Sequence, residues 1–265
     1  MKAVYSYLPA GLLLIWAIVA VASLWLPLNP NQVALEAILQ PPGAATGLGY
    51  DDLGRPILDR LLLGAGTSLF VAFTVMLISL VVGTTVGVVS AWWGGRADHV
   101  LMRITDIFLA FPGILLAIAL AGLLGPGIGN LMIALSIVGW VGFARLSRAQ
   151  VLVLREREHI QAAHALGTHS WRILLRHLLP LVAAPLIVEA TFAVAGLIIA
   201  EAGLSFLGLG VQPPAPSWGS MIRDGARYLL VAPHLVIVPG VALMSVVLAI
   251  NLLGDQLRDR LDVKI

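Results

Sequence analysis

The chain has 265 residues, 59% of them hydrophobic and only 11% charged, with a mean hydropathy of +0.97. A soluble domain carries about a quarter charged residues, so this composition excludes one and points into a membrane. The formal net charge of +2 implies no nucleic-acid partner, and the absence of cysteine excludes disulfides and thiolate metal sites.

The first apolar run, Leu8–Leu26, is long enough to cross a bilayer. It holds a cleavage-like Ala20-Val21-Ala22, but inside the run and not after it, so an uncleaved anchor is expected. A wet segment, residues 27–67, separates it from a second predicted span, Ser68–Trp93. There Gly83 and Gly87 form a small-xxx-small pair, which permits close helix approach within the chain or against another subunit. The third span is predicted over Leu101–Leu124, with Arg103 and Asp106 spaced to pair on one face. A "GPGIGN" turn reverses the chain into a fourth span, Asn130–Leu146.

A polar stretch follows. Arg155 to Leu166 reads as helix, and Gly167 stops it. Thr168 or Ser170 is placed to cap a second short helix, Trp171–Leu179, which meets the fifth span at Pro180. Two readings of this helix–hinge–helix are open. It is either an amphipathic pair resting on lipid headgroups, or a docking knob with a small surface at Ala162, Ala163 and Ala165. The fifth span is predicted over Leu178–Ala200, followed by a wet segment, 203–233, and a sixth span, Leu235–Leu253. The expected fold is thus an all-α membrane protein of six transmembrane helices. Residues 1–67 form an N-terminal helix and outer loop, and residues 68–265 a five-helix core with the polar loop 155–180.

Charge orients these spans. With the N-terminus in the cytoplasm, only Arg55, Arg60, Arg223 and Arg227 of the 16 lysines and arginines fall outside. This agrees with the positive-inside tendency, and it places loop 155–180 in the cytoplasm. Trp25, Trp92 and Trp93 suit the interfacial aromatic belts.

Few residues invite chemistry. The lysines are Lys2 and Lys264, and no Gly-Lys-Ser/Thr sequence exists, so any ATP that drives this protein is expected to bind another chain. His159 and His164 stand about 140° apart around a helix and do not converge on a metal. Asp51, Asp52 and Arg55 cluster without a nucleophile, which favours a turn network or a partner contact over catalysis. Glu189 falls mid-way along the fifth span; it either lines a translocation path or bonds to a neighbouring helix. No catalytic or metal-binding residue is expected.

Several stretches together resemble a known family. "QAAHALG" (Gln161 to Gly167) and "LLP" ending at Pro180 are similar to the EAA loop of ATP-binding-cassette (ABC) importer permeases. Gln161 stands where that pattern has glutamate, and His177 where it has isoleucine. "LGYDDLGRPILDRLLLGAGTSL" (Leu48 to Leu69) resembles the outer-loop signature of dipeptide, oligopeptide and nickel permeases. "MRITDIFLAFP" (Met102 to Pro112), "AEAGLSFLGLGVQPPAPSWGSMI" (Ala200 to Ile222) and "NLLGDQLRDRLD" (Asn251 to Asp262) extend the likeness from Thr46 onward. The single large outer loop resembles the C-type member of the permease pair.

The resemblance implies a type I importer permease, half of a pathway for peptides or nickel chelates, in a bacterial or archaeal inner membrane with both termini cytoplasmic. It implies a second homologous permease subunit, P-loop ATPase subunits that bind ATP and magnesium, and an extracytoplasmic substrate-binding protein, with no cofactor in this chain. It assigns ATPase coupling to Gln161, Ala162, Ala163, Leu166, Gly167, Leu179 and Pro180, and outer-face contact to Asp51, Asp52 and Arg55. Two other classes fit less well. An ion-coupled transporter would show an internal repeat and several intramembrane charges, and an intramembrane enzyme would show a Gly-x-Ser-x-Gly or zincin pattern.

Overall fold

The computed structural model of the chain describes residues 2–23 and 25–261. Ten helices follow in order: α1 (Lys2–Ala22), α2 (Ile57–Trp93), α3 (Gly95–Leu109), α4 (Gly113–Leu124), α5 (Ile128–Leu154), α6 (Glu158–Ala165), α7 (Ser170–Ile173), α8 (Leu179–Phe206), α9 (Trp218–Ala226) and α10 (His234–Leu261). Four runs are long and apolar enough to cross a bilayer: α2, α5, Ser170–Phe206 and α10. Residues 28–56 and 207–233 gather at one end of the bundle, the loop end. The opposite end carries α6 and the Gly167 hinge.

Most spans outrun the apolar stretches that predict them. α2 starts at Ile57, not Ser68, because Pro56 presets the first turn and the following residues are good helix formers; Asp59 and Arg60 end the apolar run without ending the helix. Likewise α5 continues past Arg145 and Arg148 to Leu154, α8 continues past Ala200 to Phe206, and α10 reaches Leu261. α1 instead stops at Ala22, four residues before the expected Leu26.

The third expected span is not one helix. α3 and α4 meet at an 86° bend across residues 110–112. Pro112 lacks the N–H that a continuing helix needs, and its ring disfavours helical geometry at Phe111. Arg103 and Asp106 are both exposed and form no ion pair with each other. The strong pair on α3 is Asp98 with Arg148 of α5, a two-pronged contact at 2.6 and 2.7 Å that pins α3 to the bundle.

The α2–α5 seam is the most intimate in the fold. A Cβ at Gly83 would stand 2.2 Å from the Trp140 carbonyl oxygen, and one at Gly87 2.1 Å from Ser147 Oγ. The small-xxx-small pair therefore serves packing within the chain. α1 lies across α10 and α2: Trp16 Nε1 donates to Ser245 Oγ at 3.0 Å, and its ring meets the buried Trp218 edge-on at 5.1 Å. Between α1, α2, α8 and α10 runs an apolar groove of about 700 Å³, lined by Trp16, Phe73, Leu80, Leu186, Ile187 and Val194 among others.

These backbone approaches give a direct expectation. Gly83→Ala and Gly87→Ala will each lower the stability of the purified protein by about 1–3 kcal/mol, because α2 must move away from α5. Gly122→Ala, at a position with open space around it, will not destabilise. Thermal unfolding in detergent separates the three.

Candidate functional site

At the hinge end, the chain leaves α5 through a short turn and re-enters helix at Glu158. Ile160 anchors α6 by burying its side chain, while Gln161, Ala162 and His164 face outward. Gly167 ends the element in the left-handed region at φ +76. The Thr168 N–H reaches back to the Ala163 carbonyl and the Leu166 N–H to the Ala162 carbonyl, both at 3.0 Å, a glycine-terminated close. Leu166 beside it is 85% exposed, and Trp171 is exposed as well. The result is a short helix and a glycine corner presenting small and apolar side chains to whatever lies beyond the bundle.

Beyond the corner the structure departs from a separate second short helix. His169, not Thr168 or Ser170, caps α7, its ring accepting from Trp171 N. α7 then runs through one π-helical turn, residues 174–178, directly into α8, so Ser170–Phe206 is a continuous helical run. The Leu179 N–H bonds to the Leu174 carbonyl, one residue further back than in an α-helix. Leu179 and Pro180 therefore sit in the shaft of α8, about 15 Å along the helix axis from Ser170. Gln161, Ala162, Ala163, Leu166 and Gly167 are together at the corner; Leu179 and Pro180 are not beside them.

At the loop end Asp51 is buried at the centre of a turn. Its Oδ1 accepts from the backbone of Leu53 and Arg55, and its Oδ2 accepts from Arg55 Nε at 2.7 Å and faces Arg60 Nε of α2 at 3.5 Å. Arg55 also approaches Asp52 at 3.7 Å. Burial, reinforced by the neighbouring Asp51 charge, raises the Asp52 carboxyl above the usual range, with Arg55 opposing. Gly54 takes a positive φ where a Cβ would strike the Ala34 carbonyl. The cluster is thus a clamp that folds segment 34–56 onto the head of α2.

Glu201 lies one residue beyond the predicted end of the fifth span, where the apolar run gives no hint of it. It is 0% exposed. Its Oε2 accepts from Ser68 Oγ of α2 at 2.8 Å and its Oε1 from Ser205 Oγ at 2.7 Å, and Ser217 reaches it too. Those hydroxyls accept in turn: Val211 N–H donates to Ser205 Oγ at 3.2 Å, and Trp218 N–H to Ser68 Oγ at 3.4 Å. One carboxylate therefore orients two serines that hold loop 207–217 at Val211 and at its exit into Trp218. The i, i+4 spacing of Glu201 and Ser205 was the readable signal.

Glu189 lies near the middle of the Ser170–Phe206 run, turned toward α5. Its Oε1 stands 3.4 Å from where a Cβ of Gly142 would be. Among the described residues it makes no hydrogen bond or ion pair. A bond to a neighbouring helix, one of its two readings, is absent there.

Residues 83–265 match the family model described as the inner membrane component of binding-protein-dependent transport systems. The chain belongs to this permease family. It is similar to the glutathione transport system permease protein GsiD of Pectobacterium atrosepticum, at 42% identity over 89% of this chain and 78% of that one. It is also similar to the dipeptide transport system permease protein DppC of Alkalihalophilus pseudofirmus, at 46% identity over 85% of this chain and 74% of that one. The fold matches a chain of the inward-facing MetNI methionine ABC transporter with a TM-score of 0.64 at 20% identity, covering 78% of this chain and 98% of the other. The permease is a multi-pass membrane protein with the type I importer fold.

Two expectations follow for the loop end. Glu201→Ala strips the acceptor from two buried hydroxyls and will cost about 2–4 kcal/mol, whereas Glu201→Gln, which keeps one acceptor oxygen, will cost less. Both will hasten proteolysis within loop 207–217, Ala more than Gln, read by limited digestion of the reconstituted protein. Asp51→Ala will release segment 34–56, seen as faster hydrogen exchange at the Leu53 and Arg55 amides with α5 unchanged.

Proposed function

We propose that this permease forms half of the pathway of an ABC importer for small peptides, paired with a second homologous permease, fed by an extracytoplasmic binding protein and driven by separate P-loop ATPases. The relatives' names, glutathione and dipeptide permeases, support the cargo class. The charge distribution supports cytoplasmic termini and a cytoplasmic Gly167 corner. ATP and magnesium belong to the partner subunits in this reading, and the chain itself carries out no chemistry.

The observation that carries the mechanism is the corner itself: an exposed short helix and a glycine turn mounted on a rigid helical run. Small side chains at Ala162 and Ala163 let another surface approach closely, and Leu166 offers an apolar tip. Closure of an ATPase dimer against this corner moves α7 and α8 as one body. Because Leu179 and Pro180 lie in the shaft, they transmit that motion rather than touch the ATPase. At the other end, the Asp51 clamp and the Glu201 cluster fix the two loops that face the binding protein. Alternating access then consists of tilting the α7–α8 body against α2 and α5.

Gly167→Asp tests this. The variant is expected to insert and assemble normally yet show less than a tenth of wild-type ATP-dependent uptake, with ATP hydrolysis uncoupled from the binding protein. Wild-type uptake by that variant would mean that the corner only rests on lipid headgroups.

A further inference from the structure

We infer that Glu189 is the residue of the pathway wall that receives the positively charged amino terminus of the cargo, making it a specificity determinant of this permease. The inference rests on the peptide-importer reading above and names what one side chain does within it.

Four observations converge on Glu189. It occupies the middle of a membrane-spanning run, where a carboxylate in contact with hydrocarbon is costly. It is only partly buried, and no hydroxyl, amide or cation of the described residues satisfies it. The contrast with Glu201 on the same helix is sharp, since that carboxylate is enclosed and bonded on both oxygens. Third, the space before it is open. Its neighbour on α5 is Gly142, which has no side chain to cover it, and two turns further along the same helix face Gly196 has nothing within 4 Å of a built Cβ. Fourth, its direction differs from that of the lipid-compatible groove. Leu186, Ile187, Ala190 and Thr191 line the apolar groove, while Glu189 turns the other way, toward α5.

A mid-membrane carboxylate turned away from the apolar groove and without a partner among the described residues is costly unless it faces water or a polar group beyond this chain. Arg145 lies on the same exposed side of α5 as Gly142, one turn nearer the hinge end, and does not pair with Glu189. A cargo moving from the loop end therefore meets negative charge first and positive charge next. That order suits a zwitterion lying with its ammonium group at Glu189 and its carboxylate toward Arg145, and it disfavours a cargo whose amino terminus is blocked.

The test uses the complete importer, both permeases with their ATPases, in proteoliposomes at saturating binding protein. ATP-dependent uptake of alanyl-phenylalanine is compared with that of N-acetyl-alanyl-phenylalanine. The same binding protein serves every variant, so its own preference cancels. In Glu189→Gln the ratio of free to acetylated uptake is expected to fall by about tenfold, the effect of losing one close charge pair in a partly dry site. Glu189→Asp keeps the charge and is expected to retain most of the ratio. An unchanged ratio in Glu189→Gln, or an equal slowing of both peptides, overturns the assignment. So does a Glu189→Gln chain that fails to assemble with the second permease, because Glu189 would then pair across that interface. Uptake of neither peptide by the wild-type importer would overturn the peptide reading itself, an outcome distinct from all of these.

Discussion

The loop end of this permease is organised around a carboxylate held by hydroxyls alone. Among the described residues Glu201 has no cation beside it, and enclosing a carboxylate fully is expensive. It persists because Ser68, Ser205 and Ser217 converge on it from three different segments, and Ser68 and Ser205 then accept a backbone N–H from the returning loop. Removing any member strands the others. The close packing of Trp218 against α1, and the donation of its indole N–H to the Leu61 carbonyl, follow from the same placement of the chain at Ser217. α2, α8 and α9 are therefore joined at the loop end by one polar cluster inside an otherwise apolar core.

The α2–α5 seam performs the complementary task along the length of the bundle. Glycines at 83, 87 and 139 remove side chains where the two backbones cross, so dispersion contacts replace bulk. The Asp98–Arg148 contact then fixes the short α3 against the pair at the hinge end. α2 and α5 are thus locked together, α8 is bonded to α2 at the loop end through Ser68 and Glu201, and Ile173, Leu174 and Leu178 bury the foot of the α7–α8 run against the bundle next to the Gly167 corner.

How much of this was legible beforehand depended on the kind of signal. Apolar runs located the spans, and a lone glycine after QAAHAL located the corner, because both are local. The helix ends were misplaced where Asp59, Arg145 and Glu201 interrupt apolarity without interrupting helical geometry. Hydropathy measures the solvent, whereas the backbone answers to propensity and capping. The 86° break before Pro112 was readable from the proline but was outweighed by the apolar residues on both sides. The Asp98–Arg148 and Ser68–Glu201 contacts join residues 50 and 133 positions apart, and no periodicity within a helix reports such pairs.

The π-helical turn ahead of Pro180 has a consequence for the register of the whole run. It takes up one additional residue in a helix about 55 Å long, so that Ile173, Leu174, Leu178 and Val182 all remain buried on the bundle side. Glu189 and Glu201 inherit their azimuths from that turn. A one-residue insertion or deletion between the turn and Glu201 would rotate everything beyond it by about 100°, swinging one carboxylate off its serines. The shaft therefore acts as a phase standard. Its length is open to drift only beyond its two ends, and its interior can change residue by residue but not in number.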